Sequence, residues 1–439
     1  MRADYYDMRN LFRDLGIAIP PNLRNLEVAM GWPAKAVDAL ARRVRLDGFV
    51  LPGGDVDAFG IPQILADNRM DVELPQAMTS SLIHSVAFIA TTLGDVAAGE
   101  PEVLMSVYDA RSATGTWDPV RRRLSSFLGV VRERDGQYER VVMLTTDAAY
   151  SMTLLDGNRW QVRALRHSLG RVPVEPLVYR PRLGRPFGSS RISRSVMSIT
   201  DSAMRTVVRS EVGAEFFSAP QRYLLGADED AFVAEDGTRK STWDMVIGRI
   251  LALDLLDEDG ERIDPRELQI GQFPQVSMQP HAEHLRMWAT LFAGETGLAV
   301  SQLGVVQDNP SSAEAIYAAK EDLVIEAEAT GLGFTPALVR SAITGVQIRD
   351  GLTTPPPELR RLGVRWRDPS TPSRAAATDA VMKQIAAGVL PPESDVALEA
   401  LGYDDTTIQR IQADRLRSAG RSAVAALRDA RVARMADAG

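Results

Sequence analysis

The residues able to do chemistry are few, and their spacing argues against most catalysts. Histidine occurs only at His84, His167, His281 and His284. The last two sit at i, i+3 in HAEHLRMW, a spacing that puts two imidazoles on one helix face and could begin a metal site. No third ligand with suitable spacing lies nearby, so the pair reads as structural. Cysteine is absent, which removes a thiolate zinc site, a disulfide framework and a cysteine nucleophile together. The segment LLDEDGERIDPRE resembles a calcium loop only briefly. With Gly260 at the sixth loop position, Leu255 would be the first ligand and Arg266 the twelfth, and neither can bind the ion. There is no G-x-x-x-x-G-K-[ST] to cradle a triphosphate and no glycine-rich dinucleotide fingerprint after a strand. A hydrolase using paired carboxylates is the weakest reading, because the acids cluster in turns and lack a basic partner at strand ends. The expectation is no catalytic residue, no metal and no cofactor.

A different constellation stands out. Arg191, Arg194, Arg205 and Arg209 are spaced 3, 11 and 4 apart. At about 100° per residue they fall within roughly 60° of one another on a helix. Ile192, Val196, Ile199, Ala203 and Val207 make the apolar side of the same helix, expected from about 189 to 212. Such an arginine stripe serves either as a solvated or inter-subunit salt-bridging face or as a surface meeting DNA phosphates. Both readings stay open on the residues alone.

The elements that would position this helix follow from periodicity. Val37, Leu40, Ala41 and Val44 fall at helical spacing, with Pro33 in a first turn, and the first fifty residues read as helical. Leu82, Ile83, Val86 and Ile89 repeat the pattern over 75–90. From 101 to 180, runs such as EVLMSVYD, SSFLGVVRER, YERVVMLTT and RWQVRALRHS are separated by turns at Asp135-Gly136 and Asp156-Gly157, the signature of antiparallel hairpins. GRVPVEPLVYRPRLGRPFG, residues 170–188, is too rich in proline and glycine for a helix and reads as an extended connector. Further helices are expected over about 281–292 and 312–329. Pro355-Pro356-Pro357 breaks the chain, and WRDPSTPS (366–373) marks a boundary before an alanine-rich helical tail.

The 439 residues allow two to four domains, and 45 % hydrophobic with 25 % charged residues is an ordinary globular balance. MRADYYDMRNLFRDLG lacks the apolar core of a signal peptide, and no stretch reaches the roughly 18 apolar residues of a membrane span; no membrane association is expected. The net charge is -8, and residues 228–267 alone carry 13 acids against 5 bases. A dedicated high-affinity nucleic-acid binder is usually basic. A protein past which DNA slides need not be.

Several segments, in order, resemble the portal proteins of tailed phages, specifically the siphophage type of Gram-positive hosts. YYDMRNLFRDLG followed by WPAKAVDALARRVRLDGF resembles the family's opening tyrosine pair and first helix, with Met8 standing where the family pattern has glycine. GRVPVEPLVYRPRLGRPFGSSRISRSVMSITDSAMRTV resembles its G-x-V-P-V connector, the G-x-S before a long helix, and the aspartate within it, here Asp201. EFFSAPQRYLLG matches the segment that follows. TGLAVSQLGVVQDNPSSAEAIYAAKEDLV resembles a loop leading through N-x-S-[SG]-x-x-A into a helix, and WRDPSTPSRAAATDAVMKQIAAGVLP resembles the W-x-D-P start of the carboxy-terminal region.

The resemblance implies an α+β portal fold with an α/β wing, a helical stem, a small α/β clip, a tunnel loop and a helical crown. By that likeness, residues 1–188 would be amino-terminal helices and β-rich wing, 189–213 and 277–296 the stem helices, and 214–276 the clip. Residues 297–311 would be the tunnel loop, 312–372 the wing helix and return strands, and 373–439 the crown. It further implies a homo-oligomeric ring, commonly of twelve subunits, at one capsid vertex, assembled in the host cytoplasm and retained in the virion. The genome, double-stranded DNA, would pass through it non-specifically during packaging and ejection. Terminase large subunit and head-tail adaptor would dock on it, with major capsid and scaffolding proteins around it. Gln302, Gln307, Asp308 and Asn309 of the tunnel loop would touch DNA without anchoring it, and Gly297 and Gly304 would let the loop move. The same polar residues also suit an ordinary loop in which Asn309-Pro310-Ser311 starts a helix. The alternative class is a DNA-binding regulator with a helix-turn-helix-like region over 374–434, where the last 35 residues hold seven arginines against four aspartates. It lacks a basic recognition helix and leaves 370 residues unexplained.

Overall fold

In the computed structural model the chain opens with the short helix α1 (Arg2–Tyr6). Helix α2 (Trp32–Ala41) carries Pro33 in its first turn, as its sequence predicts. The structure describes residues 1–10, 28–156, 159–217, 222–225, 269–272, 277–304, 321–370, 374–403, 407–418 and 420–422. Met8 has φ 59, the left-handed conformation that an L-residue reaches at a cost of roughly 1–2 kcal/mol. Glycine adopts it freely, so Met8 carries a backbone cost that the expected glycine would not. Met8→Gly is therefore expected to raise the unfolding free energy by up to about 1 kcal/mol, the relief being partly offset by glycine's entropy in the unfolded chain; urea titration checks it.

Strand β1 (Leu46–Val50) follows, where helix was expected. Helices α3 (Ile61–Asp67) and α4 (Met70–His84) come next. The helical spacing that continued through Val86 and Ile89 is overridden at Ser85, whose φ of 87 ends the helix. The chain then enters strand β2 (Val86–Leu93), whose first six residues are all buried. A fully buried apolar run fits either period, and here the strand wins.

Next are β3 (Val103–Asp109), β4 (Ala113–Asp118), β5 (Arg123–Arg134), β6 (Gln137–Leu144), β7 (Ala148–Leu155) and β8 (Arg159–Arg166). Strands β4 to β8 form one antiparallel meander in chain order. Asp135 (φ 50) and Gly136 (φ 78) make the two-residue hairpin turn between β5 and β6 that their pairing predicts. Inside the expected connector, Val174–Val178 instead forms β9, which pairs with β2 to complete the sheet β3-β2-β9. Pro176 is tolerated because β9 lies at the sheet edge.

The long helix α5 spans Arg194–Phe217, starting later than the sequence implied. Strands β10 (Arg222–Leu225) and β11 (Gln269–Gln272) pair antiparallel. The acidic stretch between them lies outside the described residues. Helix α6 covers Gln279–Thr296 and α7 covers Glu321–Arg349, a full 29 residues with Pro336 inside. Gly331 lets the Trp366 indole pack closely on α7, where a Cβ would stand 3.1–3.3 Å from the ring, a tight contact. Trp366 belongs to β12 (Gly363–Trp366), which pairs with β1, and its Nε1–H donates to Thr335 Oγ1 at 2.9 Å. A large apolar core gathers α2, α4, β2, α6 and α7, including Leu40, Leu82, Ile89, Phe292 and Phe334. A smaller one, around Phe88, Phe127 and Leu144, joins the two main sheets.

The chain divides into two compact units, Met1–Pro369 and Ser370–Gly439, with the break inside the WRDPSTPS segment. In the second unit, α8 (Arg374–Ala386) and α9 (Asp395–Ala400) are helical, as are residues 407–418. Ser394 caps α9 by accepting from Ala397 N–H at 3.2 Å.

Candidate functional site

Helices α5 and α6 pack against each other antiparallel, as three contacts along their length show. Ser193, just before α5, donates to Glu295 near the end of α6 at 2.9 Å. Midway, Trp288 Nε1–H donates to Thr206 Oγ1 at 3.2 Å. At the far end, Gly213 faces Met278 and His281. The buried side of α5 is Val196, Thr200, Ala203, Met204, Val208 and Val212. It is rotated slightly from the expected set, with Ile199 and Val207 only half-buried.

The arginine stripe divides accordingly. Arg194 and Arg209 are exposed, and Arg205 is half-buried with its guanidinium donating to Ser202 Oγ at 2.8 Å. Arg191 corrects the sequence reading. It precedes the helix, and its side chain is only 3 % exposed, so it cannot belong to an exposed basic stripe.

Arg191 is instead the hub of a buried ionic cluster. Its Nε–H donates to Ala36 O in α2 at 2.6 Å, and its Nη2 to Thr296 O, the last residue of α6, at 2.7 Å. Its Nη1 reaches Glu326 in α7 and the Tyr179 hydroxyl. Arg180 also pairs with Glu326, and Tyr179 donates its O–H to the same carboxylate. Burial by itself would raise the Glu326 pKa; Arg191 and the hydrogen bonds outweigh it and hold the carboxyl below its ordinary value. Burial pushes the Tyr179 hydroxyl up to about 12. Nothing in the spacing of Tyr179, Arg191 and Glu326 announces this cluster, since its members lie 147 and 135 residues apart along the chain.

The tyrosine pair and Asp201, known from the sequence only as parts of a resemblance, acquire roles. Tyr5 O–H reaches both Asp201 carboxylate oxygens, at 2.9 and 3.0 Å, and Tyr6 O–H donates to Asp38 at 2.9 Å. Burial, with Asp201 adding to it, pushes the Tyr5 hydroxyl up to about 12, so Tyr5 stays the donor in this clamp of α1 on α5.

After α6, Gly297 (φ 65) and Gly304 (φ 80) are left-handed caps, ending α6 and the short 3-10 turn Val300–Leu303 respectively. Gln302 is half-buried and its Oε1 accepts from Ala299 N–H at 3.2 Å. Gln307, Asp308 and Asn309 lie outside the described residues. His284 stacks obliquely on Trp288, centroids 5.3 Å apart. Among the described residues no cluster of three or more metal-ligating side chains occurs, and no helix is long and apolar enough to cross a membrane.

The family model for phage portal proteins of the SPP1 Gp6-like type matches residues 1–420, and the chain belongs to that family. It is 30 % identical over 398 residues to the portal protein of Mycobacterium phage L5, covering 89 % of this chain and 80 % of that protein. It is 29 % identical over 408 residues to the portal protein of Mycobacterium phage D29, covering 91 % and 81 %. Its backbone is similar to a chain from the virion of a native gene transfer agent particle, with a TM-score of 0.47 at 14 % identity over 84 % of this chain and 89 % of that one. The role is that of a phage portal protein, a structural component of the virion.

Proposed function

We propose that copies of this chain close into a ring of twelve at one capsid vertex, through which the genome enters and leaves. The match of the portal family model from residue 1 to residue 420 carries this reading. In it, the antiparallel α5–α6 pair is the stem and residues 214–276 the clip, whose acidic composition suits docking of the terminase large subunit and then the head-tail adaptor. Residues 297–311 form the tunnel loop, 1–188 and 312–372 the wing, and 373–439 the crown. Major capsid and scaffolding proteins surround the ring during assembly in the host cytoplasm.

The work is mechanical and electrostatic rather than catalytic. A wall that gripped phosphates would stall DNA, since each neutralised phosphate adds counterion-release affinity. A mainly acidic chain with sparse basic positions repels and centres the duplex. Arg194, Arg205 and Arg209 of α5, with Gln302, Gln307, Asp308 and Asn309 of the loop, are the proposed DNA-facing set; Arg191 is withdrawn from it. The regulator alternative assigns no role to residues 1–373, whereas the portal family match runs from residue 1 to residue 420.

Negative-stain electron microscopy with mass by light scattering tests the ring. Closed annuli of about dodecameric mass are expected; absence of rings from both purified protein and assembled particles overturns it. Arg194→Glu/Arg209→Glu protein should still form rings, because both side chains are exposed, yet package less DNA in an in vitro packaging reaction. Unchanged packaging would return these arginines to a solvated face.

A further inference from the structure

Between β9 and α5 the chain makes a short finger that the portal reading does not use. Arg182 N–H donates to Arg185 O at 3.2 Å and Arg185 N–H to Arg182 O at 2.8 Å, closing a tight turn over Leu183-Gly184. Ser189 N–H donates to Tyr179 O at 3.0 Å and closes the base. Gly188 (φ 70) is required there, because a Cβ would lie 2.0 Å from Tyr179 O. Pro181 and Pro186 fix φ in the two arms. Phe187 sets its ring edge-on to Phe88 and Trp117, centroids 6.1 and 6.2 Å away, rooting the finger in the smaller core. At the tip Leu183 is fully exposed between two exposed arginines. A pre-stiffened apolar tip loses little entropy on docking.

A matching recess lies at the other edge of the same sheet. In the order β3-β2-β9 the finger leaves the β9 edge, and a groove of about 630 Å³ opens between α1, α4 and the β3 edge. Ala77, Ile83 and Val107 give it an apolar wall. Asp7, Glu73 and Asp109 line it against Arg111 and a half-buried His84, so the lining is acidic where the finger is basic. The Ser80 hydroxyl in its wall has no hydrogen-bond partner among the described residues.

We infer that the finger around Leu183 of one copy seats in the α1–α4–β3 groove of the next copy. Leucine would fill the apolar wall while Arg182 and Arg185 meet the carboxylates. Two different patches at opposite sheet edges make a heterologous contact, the kind that closes a ring when the rotation per copy allows. This rests on the ring reading above.

The cysteine-free chain offers a direct test. Rings of Leu183→Cys/Gln76→Cys protein, both positions being exposed, are treated with a short bis-maleimide and run on a denaturing gel. A ladder of covalent multimers is expected from the double variant, and none from either single variant. Rings that are closed by microscopy but give no ladder overturn the contact and leave the ring reading standing; absence of rings from wild-type protein and particles removes both. Arg182→Glu/Arg185→Glu should abolish closed rings, and adding Asp7→Arg/Glu73→Arg should restore them. Undiminished assembly of the first variant also overturns the proposal.

Discussion

Arg191→Met is expected to lower the unfolding free energy of the unassembled chain by about 3–5 kcal/mol, the usual penalty when one partner of a buried ion pair is removed. The change strands the Glu326 carboxylate beside Tyr179, with only the more exposed Arg180 opposite it. It also removes the side-chain donor to Ala36 O and to Thr296 O. Since Thr296 ends α6 and Ala36 lies in α2, the loss falls on several elements at once. Arg191→Lys should recover little, because a single ammonium cannot reproduce the fork that meets four acceptors. Adding Glu326→Gln to Arg191→Met should return part of the loss by removing the uncompensated charge. Urea unfolding followed by tryptophan fluorescence measures all three. A loss below about 1 kcal/mol for Arg191→Met would show that the cluster is not a main support of the body.

What the sequence revealed and what it hid divide along physical lines. Local signals were legible: Pro33 in a first turn, Asp135-Gly136 as a hairpin, the alternating strands of the meander, the chain break at WRDPSTPS. Apolar runs buried on all sides were not, because periodicity carries no information when every position is inside; hence Val86 and Ile89 read as helix, while the proline and glycine around β9 hid that edge strand in an apparent connector. Non-local charge pairing was equally hidden. An arginine wheel counts spacing along an assumed helix, and Arg191 passed that count although its backbone is not helical and its partner is 135 residues away. Met8, noticed in the sequence only as a departure from the expected glycine, sits where the backbone has positive φ. Of the proposed DNA-facing set, Arg194 and Arg209 have the exposure that role demands, and Gln302 spends its side-chain oxygen on its own turn.

A second buried carboxylate makes stability depend on pH near neutrality. Glu175, in β9, is only 7 % exposed. Burial raises its pKa from 4.5 to about 7, against the opposing pull of Arg340, Arg171 and Arg123. Arg340 donates to it at 3.3 Å. Arg171 is itself engaged elsewhere, donating to Thr344 Oγ1 at 2.7 Å and Gln347 Oε1 at 2.8 Å in α7. Between pH 4.5 and about 7 the folded chain keeps a proton that the unfolded chain has released. The resulting stabilisation is complete below 4.5 and is lost as pH rises through about 7. At about 1.4 kcal/mol per pKa unit the loss is about 3 kcal/mol. Glu175→Gln mimics the protonated side chain at every pH, so its stability relative to wild type should rise by about that amount from pH 4.5 to pH 8. Parallel pH profiles for the two proteins, from urea midpoints at a series of pH values, would show instead that Arg340 and Arg171 keep this carboxylate ionised throughout. Where the profiles diverge, the β9–α7 seam is the part of the body that loosens as the pH rises to about 7, and the protection of the β9 amides, taken relative to their intrinsic pH-dependent exchange, should fall over that range in wild type and not in the glutamine variant.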